Sequence, residues 1–218
     1  MAISETGVAG LMIRNMDMKV RGRTRPRLLL LAPVVFLGLA VLPARAQQMV
    51  LELDPAKTRV EFTLGATLHT VHGTLKLEQG RIEIDPAGQC AGQVVVSALS
   101  AGTGNDGRDN KMHREILESQ KYPEIIFTPT QVEGPIAPQG NSRVQLRGTL
   151  SLHGREQEIV TPVEIQIAGD EWTGETTFPA PYVKWGLKDP STFFLRVKDT
   201  VNLTVHAAGR LTLVHSPP

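Results

Sequence analysis

From about Val50 onward, apolar and polar residues alternate in strand-length stretches that are separated by turn residues. In residues 143–153, four apolar side chains fall on one side of the chain together with Gly148, and polar side chains fall on the other. A period of two residues predicts a β-strand with one apolar and one solvated face. Similar stretches recur to the carboxyl end, which predicts seven to nine strands.

This pattern predicts an all-β fold in which about eight antiparallel strands close into a barrel. The interior of such a barrel is either filled by its own side chains or left open for one small apolar ligand. From alternation alone, the filled core is the favoured alternative, because any closed sheet needs an apolar interior.

One segment, residues 106–118, breaks the alternation and predicts a short amphipathic helix. Asp106 is placed to cap its amino end, and Met112 and Ile116 lie four residues apart on one face. A helix inserted between barrel strands lies across an open end or packs outside. The helix is therefore expected near the barrel mouth, either as a plug that seals the core or as a lid over a ligand entrance.

The first 46 residues have the pattern of an export signal. A basic stretch precedes an apolar run over residues 28–42, and Ala44-Arg45-Ala46 follows as a cleavage site. The apolar run is short for a membrane span and contains a proline, so cleavage after Ala46 is favoured over an uncleaved anchor. We expect a periplasmic or secreted protein whose mature chain has no transmembrane segment. Translation could begin at Met1, Met16 or Met18.

Removing this leader changes the charge of the chain. The whole sequence has 23 Lys and Arg against 22 Asp and Glu; residues 1–46 hold seven and two of these, which leaves 16 against 20 and a net charge of −4. An acidic chain makes nucleic acid an unfavoured partner.

Residues 47–218 suit one domain. Cys90 is the single cysteine, so no internal disulfide can form, and a partly buried, unreactive thiol is expected.

Several motifs resemble the YceI-like family of bacterial polyisoprenoid-binding proteins. The most specific is residues 108–127, RDNKMHREILESQKYPEIIF; LELDP at 51–55, VEF at 60–62, VHGTL at 71–75 and GTLSLHG at 148–154 also match. The resemblance implies an eight-stranded antiparallel, lipocalin-like barrel with a helix near its mouth. It also implies that the interior holds a long isoprenoid-type chain or a similar amphiphile, typically in the periplasm. It favours an open interior over a filled one.

The chain departs from the family at two neighbouring places. Residues 182–187, YVKWGL, stand where the family often has an arginine shortly before an aromatic-glycine pair, and residues 188–194 are particular to a subgroup. Recognition of the ligand's head group is therefore expected to differ.

A ligand-binding interior needs a deep apolar lining and a few polar groups at one end. The lining candidates are the inward-facing residues Phe62, Leu64, Val71, Leu75, Ile84, Leu146, Leu150, Val163, Ile165, Leu203 and Val205. Met112 is expected to cover apolar surface at the mouth. Arg108 and Asp109 are expected to pair with each other or to anchor the helix to the barrel; the alternative is that Arg108 meets a phosphate or carboxylate head group at the mouth. Trp185 and Tyr182 either flank an entrance or pack in the core.

The two inward-facing glycines leave a further question open. Gly73 and Gly148 either leave room for a ligand or mark places where the sheet coils.

Catalytic and metal sites are not predicted. The histidines are scattered, and no catalytic, zinc-binding or phosphate-loop motif occurs in the sequence. We therefore expect a non-enzymatic binding protein without a cofactor, whose ligand is a long-chain isoprenoid or similar lipid. The alternatives are a structural or stress-protective periplasmic module with a filled core and, less favoured, a small hydrolase or haem-dependent redox protein on the same scaffold. The sequence leaves the oligomeric state open, with a homodimer among the possibilities.

Overall fold

A computed structural model of the protein describes residues 47–67, 69–193 and 196–215. The predicted leader, its cleavage site and the three candidate start positions lie outside the described residues, as does Phe194. Within the described ranges, no helix reaches the length and apolarity needed to cross a bilayer.

The described chain is nearly all strand, as the alternation predicts. Every pair of neighbouring strands is antiparallel. In chain order the strands are β1 (Gln47–Leu53), β2 (Arg59–Gly65), β3 (Thr70–Ile84), β4 (Cys90–Gly102), β5 (Glu124–Glu133), β6 (Gly140–Leu152), β7 (Arg155–Ala168), β8 (Glu171–Ala180) and β9 (Val201–His215).

These strands close into a barrel with eight strand positions. The strands β2 to β9 pair in chain order, and β9 returns to pair with β2. The strand β1 shares a position with β2, because both pair with β3 on one side and with β9 on the other. The predicted eight-stranded barrel is confirmed, with its first strand broken in two.

A turn at Asp54 causes this break. The backbone N–H groups of Lys57 and Thr58 both donate to the Asp54 carbonyl oxygen, at 3.1 and 2.9 Å. The Asp54 side chain also accepts a hydrogen bond from the backbone of Ala56. The long strands β3 and β9 run past the turn, so the barrel wall continues from β1 into β2.

Alternation sends the apolar side chains into the barrel. Residues 71–77 of β3 alternate strictly between buried and exposed, with the apolar side chains and Gly73 buried. The buried side chains form two clusters, one around Trp172 and Ile84 and the other around Phe62 and Val71. The barrel interior is therefore organised in two levels.

Two inward-facing glycines make room for aromatic rings on adjacent strands. A Cβ on Gly73 would collide with the Phe62 ring, and a Cβ on Gly148 would collide with the Phe127 ring. Gly73 is paired with Phe62 across neighbouring strands, whereas Gly148 is paired with Pro129, two residues along β5 from Phe127. The space that each glycine leaves is occupied by a ring and is not itself room for a ligand.

The wall between β7 and β8 is paired along only part of its length. The ladder joins Glu164–Ala168 to Glu171–Glu175 and stops there, although both strands extend further. Beyond that point β7 carries Pro162 and β8 carries Pro179, and proline cannot donate a backbone hydrogen bond. The hydroxyl groups of Thr161 and Thr176, 2.7 Å apart, join the strands next to the end of the ladder.

The predicted helix is present between β4 and β5 as two successive turns. The helix α1 (Asp106–Lys111) continues directly into a π-helical turn over Met112–Ile116. The expectation that Asp106 caps this helix is wrong, because the cap is Asn105, whose extended backbone lets its side chain accept from the Arg108 N–H at 3.0 Å. The cap therefore lies one residue earlier than predicted.

We predict that Gly73→Ala lowers the free energy of unfolding by about 1–3 kcal/mol, because the added methyl group displaces the Phe62 ring. The matched control is Gly102→Ala on β4, where the added carbon meets nothing closer than 3.9 Å, and its effect is expected to stay within about 0.5 kcal/mol. Urea denaturation of both variants measures the difference. Equal stability of the two variants would contradict the assigned packing of the ring.

Candidate functional site

The barrel encloses an apolar cavity of about 170 Å³, here called the inner cavity. Its wall comes from all eight strand positions and contains no charged side chain. Three threonines supply its polar side chains, and each hydroxyl group is hydrogen-bonded: Thr58 to the Ala208 carbonyl, and Thr161 and Thr176 to each other. The inner cavity therefore leaves no threonine hydroxyl group in need of a polar partner.

A second cavity of about 410 Å³, here called the mouth cavity, lies at the end of the barrel that carries the helix. It is also predominantly apolar, but its wall includes the exposed His69 and the half-buried Arg108 and Lys111. The mouth cavity therefore reaches the surface through a polar rim.

The two cavities adjoin within the barrel. Four residues line both of them, namely Leu75, Ile125, Leu150 and Leu203. All four are apolar, so the passage between the cavities is bounded by side chains that can shift against one another without breaking a hydrogen bond. The interior therefore holds two adjoining apolar cavities that share these four side chains, and the two cavities together are here called the channel.

The structure brings all eleven predicted lining residues to this channel. Phe62, Leu64 and Val71 line the mouth cavity, Leu75, Leu150 and Leu203 line both cavities, and Ile84, Leu146, Val163, Ile165 and Val205 line the inner cavity.

The helix covers the mouth cavity without filling it. Met112, Ile116 and Leu117 contribute to its wall from above. The helix is tied to the segment after β8 by the ion pair between Glu115 and Lys188, whose Oε2 and Nζ atoms lie 2.8 Å apart. This ion pair holds the pKa of Glu115 below its ordinary value. A helix that lines an unfilled cavity favours the lid over the plug.

Arg108 is anchored by hydrogen bonds and also lines the mouth cavity. Its Nε donates to the Thr103 hydroxyl oxygen at 2.7 Å and its Nη2 to the Thr103 carbonyl at 3.3 Å, which anchors it to the barrel. It also lines the mouth cavity. Among the described residues, no carboxylate lies within ion-pair distance of its guanidinium. Its charge therefore remains available to a group inside the cavity.

Asp109 holds Thr103, the residue that binds Arg108, in place. Its carboxylate accepts hydrogen bonds from both the backbone N–H and the hydroxyl group of Thr103. Burial raises the pKa of Asp109, but these hydrogen bonds and the nearby Arg108 charge outweigh it and hold the pKa below its ordinary value. Asp109 therefore stays ionised and keeps Thr103 in place for Arg108.

The two predicted entrance aromatics differ in position. Tyr182 is buried, lines the mouth cavity, and donates from its hydroxyl group to the Lys198 carbonyl at 2.8 Å. Burial raises its pKa to about 12, so it remains a neutral donor. Trp185 is half-buried and lies in neither cavity wall. The channel therefore includes Tyr182 but not Trp185.

Several channel residues were not predicted. The inner cavity also contains Leu53, Phe127 and Trp172, which alternation places on inward faces and which could have been found in this way. Lys111 and His69 at the rim carry no pattern that marks them, since their approach to the cavity depends on how the helix and the turn before β3 fold over the barrel end.

Other chemically active side chains lie apart from the channel. Burial raises the pKa of Cys90 to about 11, so its thiol is protonated at neutral pH, as expected for an unreactive cysteine. Across the described ranges, no group of three or more His, Cys, Asp or Glu residues is placed to hold a metal ion.

Comparison with known proteins identifies the family. The model of the YceI-like domain matches residues 51–208, which include every strand of the closed barrel at least in part. The chain belongs to the YceI-like family. A UPF0312 protein from Vibrio cholerae is 25% identical over 171 residues, which cover 76% of this chain and 88% of that relative.

Solved structures share the fold of this YceI-like protein. Burkholderia cenocepacia BcnA superposes with a TM-score of 0.62 at 19% identity, covering 72% of this chain and 99% of that one. A polyisoprenoid-binding domain from Saccharophagus degradans, implicated in plant cell wall breakdown, gives 0.57 at 18% identity, covering 74% and 98%. The Campylobacter jejuni YceI protein gives 0.55 at 21% identity, covering 66% and 86%.

Proposed function

We propose that this protein is an exported, non-enzymatic carrier that holds one amphiphilic lipid of isoprenoid or similar type inside its barrel. The observation that carries the proposal is the apolar channel, which has uncharged walls inside and cationic side chains at its mouth. An apolar tail requires such a lining, and a polar head requires a few fixed groups at one end. A barrel filled by its own side chains, the alternative considered from the sequence, would leave no such channel.

The size of the channel limits the length of the tail. A cavity of about 150 Å³ is known to hold a benzene molecule, that is, six carbon atoms. At that density the inner and mouth cavities, of about 170 and 410 Å³, hold roughly twenty carbon atoms. The proposed ligand therefore has a tail of three to five isoprene units, or a fatty acyl chain of similar length, unless side chains move to admit more.

Burial of such a tail supplies enough free energy for tight binding. Each methylene group transferred from water contributes about 0.8 kcal/mol. Because the threonine hydroxyl groups of the inner cavity already bond to other protein groups, the tail displaces no hydrogen bond there. Affinity is therefore expected to rise with tail length until the channel is full.

The head group belongs at the rim. Arg108 is held by Thr103 in the wall of the mouth cavity, and Lys111 lies one helical turn further on, with Nζ 3.5 Å from the Pro190 carbonyl oxygen. Charge-assisted hydrogen bonds from such groups favour phosphate or carboxylate heads. We infer that the ligand is anionic at one end.

Three further considerations support an exported, non-enzymatic carrier. The leader in residues 1–46 has the pattern of an export signal. The name of the Saccharophagus degradans domain, which shares the fold, refers to polyisoprenoid binding. The channel walls offer no nucleophile paired with a base, which favours binding over catalysis.

Binding of a graded series of prenols tests the proposal. Displacement of the apolar fluorophore N-phenylnaphthylamine measures the affinity of prenols with two, three, four and nine isoprene units. We expect affinity to rise about tenfold or more with each added unit up to about four and then to level off or fall. Absence of displacement by every prenol, or displacement independent of length, would contradict the proposal.

Val163→Trp is expected to weaken binding of the four-unit prenol by about tenfold or more, because the indole fills part of the inner cavity. The control is Val160→Trp on the same strand, whose valine points outward and is 51% exposed. The control should bind like the unaltered protein. Equal affinities of the two variants in the same displacement assay would show that the tail does not occupy the inner cavity.

Arg108→Gln is expected to lower affinity for a prenyl phosphate about tenfold, since it removes a charge-assisted hydrogen bond. Affinity for the uncharged prenol of the same length should change less than about twofold. Arg114→Gln, on the exposed side of the helix, is the control. An equal loss for phosphate and alcohol would assign Arg108 a structural role alone.

A further inference from the structure

The segment between β8 and β9 places an aromatic side chain at the rim of the channel. Phe193 is 91% exposed, more than any other large apolar residue in the described chain. Pro190 and Val197, on either side of it in sequence, line the mouth cavity. Single exposed apolar residues are common on protein surfaces, so the surroundings of Phe193 decide whether it has a role.

The base of this segment is fixed to the barrel. The Ser191 hydroxyl oxygen accepts from the Val197 N–H at 3.0 Å, and the Ser191 N–H donates to the Asp189 carboxylate at 2.8 Å. Thr67, between β2 and β3, makes three hydrogen bonds with Arg196: its N–H and its hydroxyl group donate to the Arg196 carbonyl oxygen, and its hydroxyl oxygen accepts from the Arg196 N–H. The fold therefore holds both ends of the segment beside the channel entrance.

The segment that carries Phe193 is basic although the rest of residues 47–218 is acidic, and one of its cations, Lys188, is paired with Glu115. Residues 184–199 contain four cations and two anions, for a net charge of +2, whereas residues 47–218 as a whole have a net charge of −4. The cations and both anions are exposed. They are Lys184, Lys188, Arg196, Lys198, Asp189 and Asp199.

An exposed aromatic residue among lysines and arginines has the chemistry of a membrane-surface anchor. An exposed phenylalanine can insert at the boundary between lipid head groups and tails, and neighbouring cations are attracted to anionic lipids. A protein partner would more commonly require a broad apolar patch, and Phe193 is the one large exposed apolar residue of the described part of this segment.

We propose that residues 184–193 and 196–199, here called the rim segment, dock the mouth of the barrel on an anionic lipid bilayer. The inference rests on the proposed lipid-carrying function and names the surface from which the ligand is taken or to which it is delivered. Docking at this end sets the mouth cavity against the lipid head groups. An amphiphile can then pass between bilayer and channel without exposing its tail to water.

Co-sedimentation with lipid vesicles tests the docking. The protein, purified after expression of the full chain, is mixed with vesicles of phosphatidylcholine alone or with one quarter phosphatidylglycerol. We expect binding to the anionic vesicles, weakened by added salt, and little binding to the neutral ones. Absence of the protein from the anionic vesicle pellet would overturn the proposal.

Two substitutions in the rim segment locate the contact. Phe193→Ala and Arg196→Glu should each lower vesicle binding by about fivefold or more. The control is Leu213→Ala, which removes another exposed apolar side chain (44%) near the opposite end of β9. Equal binding by Phe193→Ala, Leu213→Ala and the unaltered protein would exclude the rim segment as the docking surface.

Displacement of N-phenylnaphthylamine by the four-unit prenol, measured in solution on the same variants, separates the two proposals. Retained prenol binding with lost vesicle binding in Phe193→Ala supports docking by the rim segment. If the protein binds prenol but does not bind vesicles, docking is overturned and the proposed carrier function is unaffected. If the protein binds vesicles but does not bind prenols, the carrier function on which the inference rests is contradicted.

Discussion

Closure of the sheet is the constraint from which the other features follow. Eight antiparallel strand positions close the sheet on itself, although the β4–β5 and β7–β8 ladders are each paired along only part of their length, and alternation sends every second side chain inward. The strand number fixes the width of the interior, so the inward side chains decide how much of it stays empty. Rings that lie over Gly73 and Gly148 pack against the wall and not across the centre, which is consistent with an open channel.

The polar end of the channel depends on a small set of hydrogen bonds. Thr103, at the carboxyl end of β4, is held by Asp109 and in turn holds Arg108. The helix that begins at Asp106 then crosses the mouth and is joined to the far side by Glu115 and Lys188. One loop thus determines the positions of both the Arg108 guanidinium and the helix that covers the mouth, while the strands determine the apolar interior.

The sequence predicts the strands and their inward faces well, because period-two alternation directly reports which side of a sheet is buried. It does not predict that β1 and β2 share one barrel position, since this depends on long strands passing a turn at Asp54. The sequence also does not predict the volume of the cavities in the barrel, because this volume depends on where the Phe62 ring lies. The placement of Trp185 away from both cavities reflects how residues 181–187 fold at the barrel end, which alternation does not describe.

The central claim is that the barrel holds an amphiphile in its interior. Native mass spectrometry of the protein purified from a bacterial host, followed by analysis of an organic extract, tests it most directly. The account predicts a bound species at one copy per chain, released as an amphiphile with a tail of roughly twenty carbon atoms. Protein that carries the mass of the polypeptide alone, with an extract free of amphiphiles, and that takes up none when they are added, would contradict it.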